Sequence, residues 1–293
     1  MATLINIAGT SRSGSTVLDL MLGNAPEAFS CGEVSAWFRP YRRHHFVVSC
    51  PCGQKPCPIW QKIKDVPEEN FHAAVIKRLH VNFVVDSSKD LCWLIDTQEW
   101  AISHNINIHN LLIWKDPVSL AFSYWKRGFS INKWRHDFTK YHSNFFEIEL
   151  PFLAINYCDL VSNPALKVSE ICAAIGMPYF DGKERFWEKD HHHLFGSLSV
   201  RNQVIAKSSV IKSKENYPVE FRSNMNILEN QIDKDSEVQQ IMEHLRQSDI
   251  SLVNNDKNRK HKIKKPYPTW YYRRRIIRIA QKYFPQRYDP EML

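Results

Sequence analysis

The fold is decided by a stretch near the N-terminus, Leu4-Ile5-Asn6-Ile7-Ala8-Gly9-Thr10-Ser11-Arg12-Ser13-Gly14-Ser15-Thr16-Val17-Leu18. Its apolar start is typical of a buried strand, its Gly/Ser-rich middle of a tight turn, and its apolar-periodic end of a helix. In such a unit the backbone N–H groups of the turn and the positive end of the helix dipole face one concavity, which favours an anion. The sequence therefore predicts a phosphate-binding loop between residues 9 and 16.

This loop nearly matches the Walker A motif of nucleoside-triphosphate enzymes. The spacing from Gly9 to Gly14, followed by a Ser/Thr pair, is that of the motif, but Ser15 stands where the motif has a lysine. The cation of the loop is Arg12 instead. Because the Walker lysine reaches the terminal phosphates, its absence argues against ATP or GTP hydrolysis. Asp86 is the one candidate for a Walker B acid.

The composition indicates a folded chain that favours anionic partners. The 293 residues are 43% hydrophobic and 24% charged, with a formal net charge of +8. Such a basic chain suits an anionic ligand, nucleic acid or an acidic membrane surface. The N-terminus lacks a signal-peptide pattern and no run is long enough to span a membrane, which predicts a cytoplasmic protein, at most peripheral to the membrane. Seven cysteines at irregular spacing do not indicate a disulfide framework.

Alternating strand and helix patterns predict a parallel sheet. Further strands are expected at 83–89, 110–114 and 152–157, and residues 30–33 read as a short polar turn. Helices are expected at 91–104, from 117, at 163–175 and, as one helix, at 228–246, whereas 190–223 reads as loop. Such βαβ units predict a P-loop NTPase-like, three-layer α/β fold with a central parallel sheet flanked by helices. Because ligands bind beyond the carboxyl ends of parallel strands, residues 9–16, 87–89 and 115–117 are expected to share one crevice.

Four motifs in this order make residues 3 to 205 resemble the sulfotransferases that use 3′-phosphoadenosine 5′-phosphosulfate (PAPS). The 5′-phosphosulfate loop of the family is matched by Ser11, Arg12, Ser13, Gly14, Ser15 and Thr16. Its 3′-phosphate motif is matched by Lys115-Asp116-Pro117 with Ser123 and Arg127, the last two four residues apart and expected on one helix face. The family typically has Arg where Lys115 stands, and Lys keeps the charge but loses the bidentate fork. The Tyr-Glu-Asp-Leu segment of the family is matched at 156–160.

The fourth motif is the late element that covers the 3′-phosphate, matched by Gly196, Ser197 in place of Asn, and Arg201. The resemblance also implies the reaction, which moves a sulfuryl group from PAPS to an acceptor hydroxyl. The leaving group is an anionic phosphate, so backbone amides and fixed cations can hold its charge and no metal is required. This reading divides the chain into a sulfotransferase domain at 1–250, with an inserted Cys-containing loop at 39–67, and a basic linker and C-terminal helix at 251–293.

Three residues are the candidates for catalysis. Glu33 resembles the Gly-Glu base of tyrosylprotein-type and related bacterial sulfotransferases and would take the proton of the acceptor hydroxyl. Arg12 and Lys89 would carry the charge that develops on the donor. Steroid- and phenol-type members use a histidine as base, so the histidines at 72, 80 and 104 compete with Glu33. A solvated turn carboxylate and a surface lysine are the alternatives for Glu33 and Lys89.

Two Cys and His segments are candidates for metal binding. Cys50, Cys52 and Cys57 are weak zinc candidates, with Cys31 as a fourth thiolate; free thiols or a local disulfide are the alternative. Residues 191–193 are three consecutive histidines, for which a nucleotide-covering loop is favoured over a metal site because Gly196 and Arg201 follow.

The C-terminus combines basic and aromatic residues over about 262–284, with a basic linker at 254–265 and a helix at 267–284. A helix docked on the domain and a membrane-surface helix are both open, and nucleic-acid binding is the weakest interpretation because no module for it is present.

The acceptor remains open among sugar, lipid, phenol, peptide tyrosine and other alcohols. An aromatic group could line an acceptor pocket or pack in the core: Phe122, Trp125, Phe129, Trp134, Phe138 and Tyr141. The rival functions are an ATP-dependent small-molecule kinase with a degenerate P-loop and a non-catalytic nucleotide- or membrane-binding module.

Overall fold

The computed structural model describes residues 2–209, 216–250, 263 and 265–283. The strands are Thr3–Ala8 (β1), Ala28–Gly32 (β2), Phe83–Asp86 (β3), Asn107–Trp114 (β4) and Leu153–Asn156 (β5). The helices in the first half are Ser15–Leu22 (α1), Ser35–Phe38 (α2), Pro58–Gln61 (α3), Phe71–Leu79 (α4), Leu91–Ser103 (α5), Pro117–Trp125 (α6) and Lys133–Phe146 (α7). The helices in the second half are Tyr157–Ser162 (α8), Pro164–Ile175 (α9), Leu198–Ala206 (α10), Val219–Arg222 (α11), Met225–Lys234 (α12), Ser236–Gln247 (α13) and Thr269–Tyr283 (α14).

The strands form one five-stranded sheet in the order β2-β3-β1-β4-β5. Every neighbouring pair is parallel, with Thr3 opposite both Phe83 and Asn107. The predicted class, a P-loop-like α/β fold with a central parallel sheet, is confirmed. Because all strands run the same way, the loops after all five strands lie at one edge of the sheet.

Helices cover both faces of this sheet. Ile5 and Ile7 of β1 pack with α1 and α9 on one face. On the other face Ala8, Leu112 and Trp114 pack with α5, α6, α7, α12 and α13. Successive residues of a strand point to opposite faces, so the continuous apolar runs in β1 and β4 supply both cores at once. The sheet is thereby a rigid platform for the loops at its carboxyl edge.

The expectation of a polar turn at 30–33 is wrong, because residues 28–32 form β2. Ser30 is buried in this edge strand, where its hydroxyl hydrogen-bonds with His193 Nδ1 at 2.7 Å. Ser30, which breaks the apolar pattern of the strand in the sequence, is thus hydrogen-bonded by the distant side chain of His193. As a consequence, Glu33 follows a strand and lies at the same edge of the sheet as the loop after β1.

Two other helical expectations are also wrong. Residues 228–246 form α12 and α13 rather than one helix, because Asp235 adopts an extended conformation and accepts a hydrogen bond from Val238 N at 3.2 Å as the cap of α13. The stretch 190–223, expected to be loop, contains α10 and α11. By contrast, the helices expected at 91–104 and 163–175 are present: Asp90 caps the start of α5 by accepting from Trp93 N at 3.0 Å, and Gly176 ends α9.

The Cys-containing insert at 39–67 was expected to lie outside the core and does not. Trp60, Ile63 and Val66 are buried in a third apolar cluster with Phe29 of β2 and Phe71 of α4. This cluster covers the β2–β3 end of the sheet. The insert is therefore an integral layer of the fold, and it leads from the edge strand back to the third strand.

Helix α14 docks on the main body. Tyr271 is 1% exposed within the same core as α5 and its hydroxyl donates to Asp96 Oδ1 at 2.9 Å. Of the predicted basic linker at 254–265, Ile263 and Lys265 are described and the rest lies outside the described residues, as does Phe284. The domain boundary at 250 and a membrane contact through the C-terminus stay predictions. Within the described part of the chain, no helix has both the length and the apolar character needed to cross a membrane.

Acid is expected to destabilise the protein through His142. Its ring is fully buried, Nδ1 is 2.8 Å from Phe138 O, and burial lowers its pKa to about 4. Since the folded state then binds fewer protons than the unfolded state between pH 6.5 and 4, stability is present above pH 6.5 and is lost as the pH falls through this window. His142→Gln should flatten the decline, by about 1.4 kcal/mol per pH unit at most.

Urea denaturation from pH 7.5 to 4 measures this slope. The exposed His104 supplies the matched control, since His104→Gln should leave the slope unchanged. An unchanged slope in His142→Gln would show that His142 is not neutral in the folded protein.

Candidate active site

The loop after β1 folds as a cradle whose two glycines cannot be replaced. A Cβ on Gly9 would lie 2.4 Å from Ile113 O, and one on Gly14 would lie 2.0 Å from the Tyr157 ring. Both glycines have positive φ angles, as does Arg12, at 72°. The loop backbone therefore packs closely against β4 and Tyr157, and only glycine fits at these two positions.

The interior of the loop has unused hydrogen-bonding capacity. The hydroxyls of Thr10 and Ser13 are buried and have no hydrogen-bond partner in the described part of the chain. The N–H groups of Ser15 and Thr16 begin α1 and have no partner within that helix. Buried polar groups are normally paired. These donors thus fit a bound phosphate or sulfate group, which offers acceptor oxygens to all of them.

The two arginines proposed for phosphate contacts lie near each other. Burial of half of the Arg12 side chain, and next the charge of Arg127, lower the pKa of Arg12. Neither guanidinium has a carboxylate within ion-pair distance among the described residues. Arg127 lies in the exposed turn after α6, which ends at Trp125, so the expectation that it shares a helix face with Ser123 is wrong. Like charges that lie near each other favour a nearby anion.

Glu33 and Lys89 form an ion pair at the carboxyl edge of β2 and β3. Lys89 Nζ donates to Glu33 Oε1 and, at 3.1 Å, to Ser87 O. The two side chains are 18% and 14% exposed, so solvent reaches both of them. Gly32 brings this turn against a later segment, since a Cβ on it would lie 2.0 Å from Leu194 O. The residues predicted separately as base and charge carrier therefore contact each other.

Tyr141 of α7 joins this ion pair to the phosphate loop. Its hydroxyl accepts from Gly9 N at 2.9 Å and donates to Lys89 O at 2.8 Å. Burial raises the pKa of this phenol, which keeps its proton available for the second bond. From the sequence, Tyr141 is one of the aromatic residues that could line an acceptor pocket or pack in the core. Of the same group, Phe122, Trp134 and Phe138 are buried in the core, whereas Phe129 is 47% exposed.

The residues expected to hold the 3′-phosphate converge in part. Lys115 Nζ donates to Ser123 Oγ at 3.3 Å and lies 4.3 Å from the centre of the Tyr157 ring, the same ring that contacts Gly14. Lys115 and Ser123 are both buried. The ring of Tyr157 thus contacts both Gly14 of the loop and Lys115, the residue after β4.

The late covering element contacts the phosphate loop at one end. Ser197 N donates to Thr16 Oγ1 at 3.1 Å, and a Cβ on Gly196 would lie 2.8 Å from the same oxygen. Arg201 points elsewhere: its guanidinium donates to Ser49 O at 2.5 Å and to Ser49 Oγ at 3.2 Å. Its predicted contact with phosphate stays a prediction, and in this structure it holds the Cys-containing insert.

The three competing histidines lie outside the site. His80 and His104 cap the ends of α4 and α5 at the amino edge of the sheet, opposite the cradle. His72 is buried against Asp86, with Nε2 3.0 Å from Oδ2. Another histidine, His45, was not a candidate from the sequence but interacts electrostatically with Glu33. Burial lowers the pKa of His45 to about 4, and the charge of Glu33 acts on this pKa in the opposite direction. No motif marks His45, because it lies in the insert.

Asp86, the candidate Walker B acid, is fully occupied by protein donors. Besides His72, its carboxylate accepts from Ser88 N at 3.0 Å, from Ser88 Oγ and from Trp93 Nε1 at 2.8 Å. A carboxylate that already accepts four bonds has no lone pair directed at a cation in the crevice. Asp86 therefore organises the turn that carries Lys89.

Comparison with known proteins identifies the fold. No family model matches the sequence, and no curated protein matches it significantly. Among solved structures, the sulfotransferase domain from the curacin biosynthetic pathway superposes with a TM-score of 0.55 at 16% identity, over 84% of this chain and 98% of that domain. The chain thus has the P-loop-like fold of a sulfotransferase domain.

Two further solved structures carry the same description with lower scores. The sulfotransferase domain of the Synechococcus PCC 7002 olefin synthase has a TM-score of 0.45 at 16% identity, over 80% of this chain and 95% of that one. A sulfotransferase from Alicyclobacillus acidocaldarius has a TM-score of 0.43 at 11% identity, over 83% and 98%.

Proposed function

We propose that this protein is a PAPS-dependent sulfotransferase that acts on a hydroxyl group. The observation that carries the proposal is the anion cradle after β1, with Arg12 as its cation and unpaired buried hydroxyls at Thr10 and Ser13, set beside the Glu33–Lys89 pair. A cradle without a lysine at Ser15 suits a phosphosulfate better than a nucleoside triphosphate. The fold of the curacin-pathway domain supports the same choice.

The donor supplies an activated sulfuryl group whose leaving group is a phosphate. In the proposed reaction the acceptor oxygen forms a bond to sulfur, the bond from sulfur to the phosphate oxygen breaks, and the phosphate departs with the electron pair. Glu33 accepts the hydroxyl proton. Lys89 and Arg12 are assigned to the negative charge that grows on the bridging oxygen and the phosphate, where cations would stabilise the transition state more than the ground state.

The 3′-phosphate is assigned to Lys115 and Ser123, with Arg127 and Arg201 as further cations. Lys115 and Ser123 already contact each other and are buried. The acceptor is an alcohol whose class is not narrowed further: sugar, lipid, phenol and other alcohols all remain candidates. Of the aromatic group that could line an acceptor pocket, Phe129 is the one member with a large exposed face. A cytoplasmic location stays a prediction.

The two rival functions explain less of the site. A kinase needs Mg²⁺ at the terminal phosphates, and Asp86, the candidate acid, is saturated by protein donors. A non-catalytic binding module has no need for a solvent-accessible Glu33–Lys89 pair linked to the cradle through Tyr141.

A ligand panel in a thermal-shift assay tests the proposal. Adenosine 3′,5′-bisphosphate should raise the melting temperature without added metal, since a ligand at about 100 times its Kd stabilises the folded state by about 2.7 kcal/mol. ATP with Mg²⁺ should have little effect, and adenosine 5′-monophosphate, which lacks the 3′-phosphate, should bind more weakly. Stabilisation by ATP–Mg²⁺ alone would contradict the assignment. Incubation with PAPS and an acceptor library then measures transfer directly.

A further inference from the structure

Three cysteines and one histidine meet on the face of the fold next to the candidate active site. The Sγ atoms of Cys50, Cys52 and Cys57 and a ring nitrogen of His192 all lie within 4.8 Å of one another. His192 Nδ1 is 3.2 Å from Cys57 Sγ and 3.5 Å from Cys50 Sγ. From this geometry we propose that the four side chains bind one structural Zn²⁺ ion.

The distances are those of a tetrahedral site. With Zn–S about 2.3 Å and Zn–N about 2.0–2.1 Å, tetrahedral angles place a ligand sulfur and nitrogen about 3.5 Å apart. The measured separations of 3.2 and 3.5 Å agree with this value. Three thiolates and an imidazole are also the donor set that selects zinc over magnesium or calcium. Four protein ligands leave no open position, so the ion is structural and takes no part in the sulfuryl transfer.

The local backbone holds the ligands in place. Gly53 has a φ of 75° and its N–H donates to Cys50 O at 3.2 Å, which closes a tight turn around Cys52. Cys57 immediately precedes α3 and is 8% exposed. All seven cysteines lie in the described residues and none of them forms a disulfide bond. The glycine turn at Gly53 brings Cys50 and Cys52 to the same site, although their Cys-x-Cys spacing is shorter than the usual Cys-x₂-Cys.

The histidine ligand is set by its two neighbours. His191 Nε2 is 2.9 Å from Phe186 O, and His193 Nδ1 is 2.7 Å from Ser30 Oγ, so both flanking rings are turned inwards. His192 faces the cysteines instead, and Trp60 Nε1 donates to its carbonyl oxygen at 2.6 Å. Cys31, the fourth ligand considered from the sequence, is fully buried in the apolar cluster under β2 and is not part of this group.

Zinc at this position would fasten two segments that border the active site. One is the insert, which carries His45. The other is the stretch that pairs with Gly32 through Leu194 and continues to Ser197 over Thr16. The charge of three thiolates on Zn²⁺ is offset by Arg201, whose guanidinium donates to Ser49, the residue before Cys50.

Metal analysis of the full-length protein tests the proposal. Protein purified without chelators should contain about one zinc per chain by plasma mass spectrometry. After exchange, Co²⁺ alone should give the intense visible bands of a tetrahedral ion and a near-ultraviolet thiolate charge-transfer band. This readout on the wild-type chain does not depend on variants that fold. Absence of both zinc and the cobalt spectrum would overturn the proposal.

Ligand variants locate the ion. His192→Ala and Cys57→Ser should each lower zinc affinity at least about tenfold in a competition assay with a chromogenic chelator. Cys158→Ser, which changes a partly buried thiol outside the group, should keep full zinc content. Zinc loss in Cys31→Ala with retention in His192→Ala would contradict the ligand set. None of these readouts uses sulfuryl transfer, so the result is independent of the proposed function.

Discussion

Glu33→Gln is expected to lower kcat for sulfuryl transfer by about 10²–10⁴, the usual contribution of a general base. The amide keeps the size of the side chain and can still accept a hydrogen bond from Lys89, so nucleotide binding should be nearly unchanged. The substitution removes the group that takes the hydroxyl proton.

Initial-rate assays with PAPS and an acceptor found in the library, together with adenosine 3′,5′-bisphosphate binding, measure both quantities. Glu69→Gln is the matched control, because Glu69 is exposed in the turn before α4, and it should retain wild-type kcat. If Glu33→Gln retains wild-type kcat as well, Glu33 is not the base. His45, on which the charges of Glu33 and Lys89 act, would then be the next residue to replace.

Replacing Arg12 by Gln should lower kcat by about 10²–10³, as is usual when one donor to a developing negative charge is removed. Arg12 is the one cation within the loop itself; its side chain is half-buried, and among the described residues it has no carboxylate within ion-pair distance. Binding of adenosine 3′,5′-bisphosphate should also weaken. The kcat of Arg12→Lys should lie between those of Arg12→Gln and the wild type, because lysine keeps the positive charge but loses the bidentate donor geometry of the guanidinium.

The same rate and binding assays separate the two effects. Arg222→Ala, which changes an exposed arginine on α11, controls for the overall loss of positive charge. Equal activity in Arg12→Gln and wild type would mean that Arg12 does not stabilise the charge on the phosphate. The phosphosulfate assignment would then need another cation, of which Lys89 is the first to test.

Local patterns in the sequence were sufficient for most of the fold. Continuous apolar runs predicted β1, β3 and β4, and the loop between Gly9 and Thr16 follows from its spacing. The edge strand β2 was missed because Ser30 breaks its apolar pattern. The buried hydroxyl of Ser30 is hydrogen-bonded to His193, which is 163 residues away in the sequence, so no local pattern could predict this partner. Glu33 was nevertheless singled out by its motif, although its position after a strand was not foreseen.

Side-chain partners distant in sequence could not be predicted. The sequence analysis considered Cys31 beside the three clustered cysteines, whereas the structure brings His192 to them and buries Cys31. Arg201 was assigned to phosphate by its motif but is held by Ser49. In each case the residues have the spacing of the motif, but the tertiary packing determines which partner the side chain contacts.

The Tyr141 bridge has a consequence for how the protein acquires its site. It joins Gly9 and Tyr141, 132 residues apart, and the contact of Ser197 with Thr16 joins residues 181 apart. Contacts this distant form late, because the entropy of closing long loops opposes them, and parallel sheets fold slowly for the same reason. During synthesis the phosphate loop leaves the ribosome before α7 does. The hydrogen bond from Gly9 N to the Tyr141 hydroxyl can form only after α7 has been made. The phosphate loop, although made before the other segments of the site, is therefore among the last of them to reach its final structure.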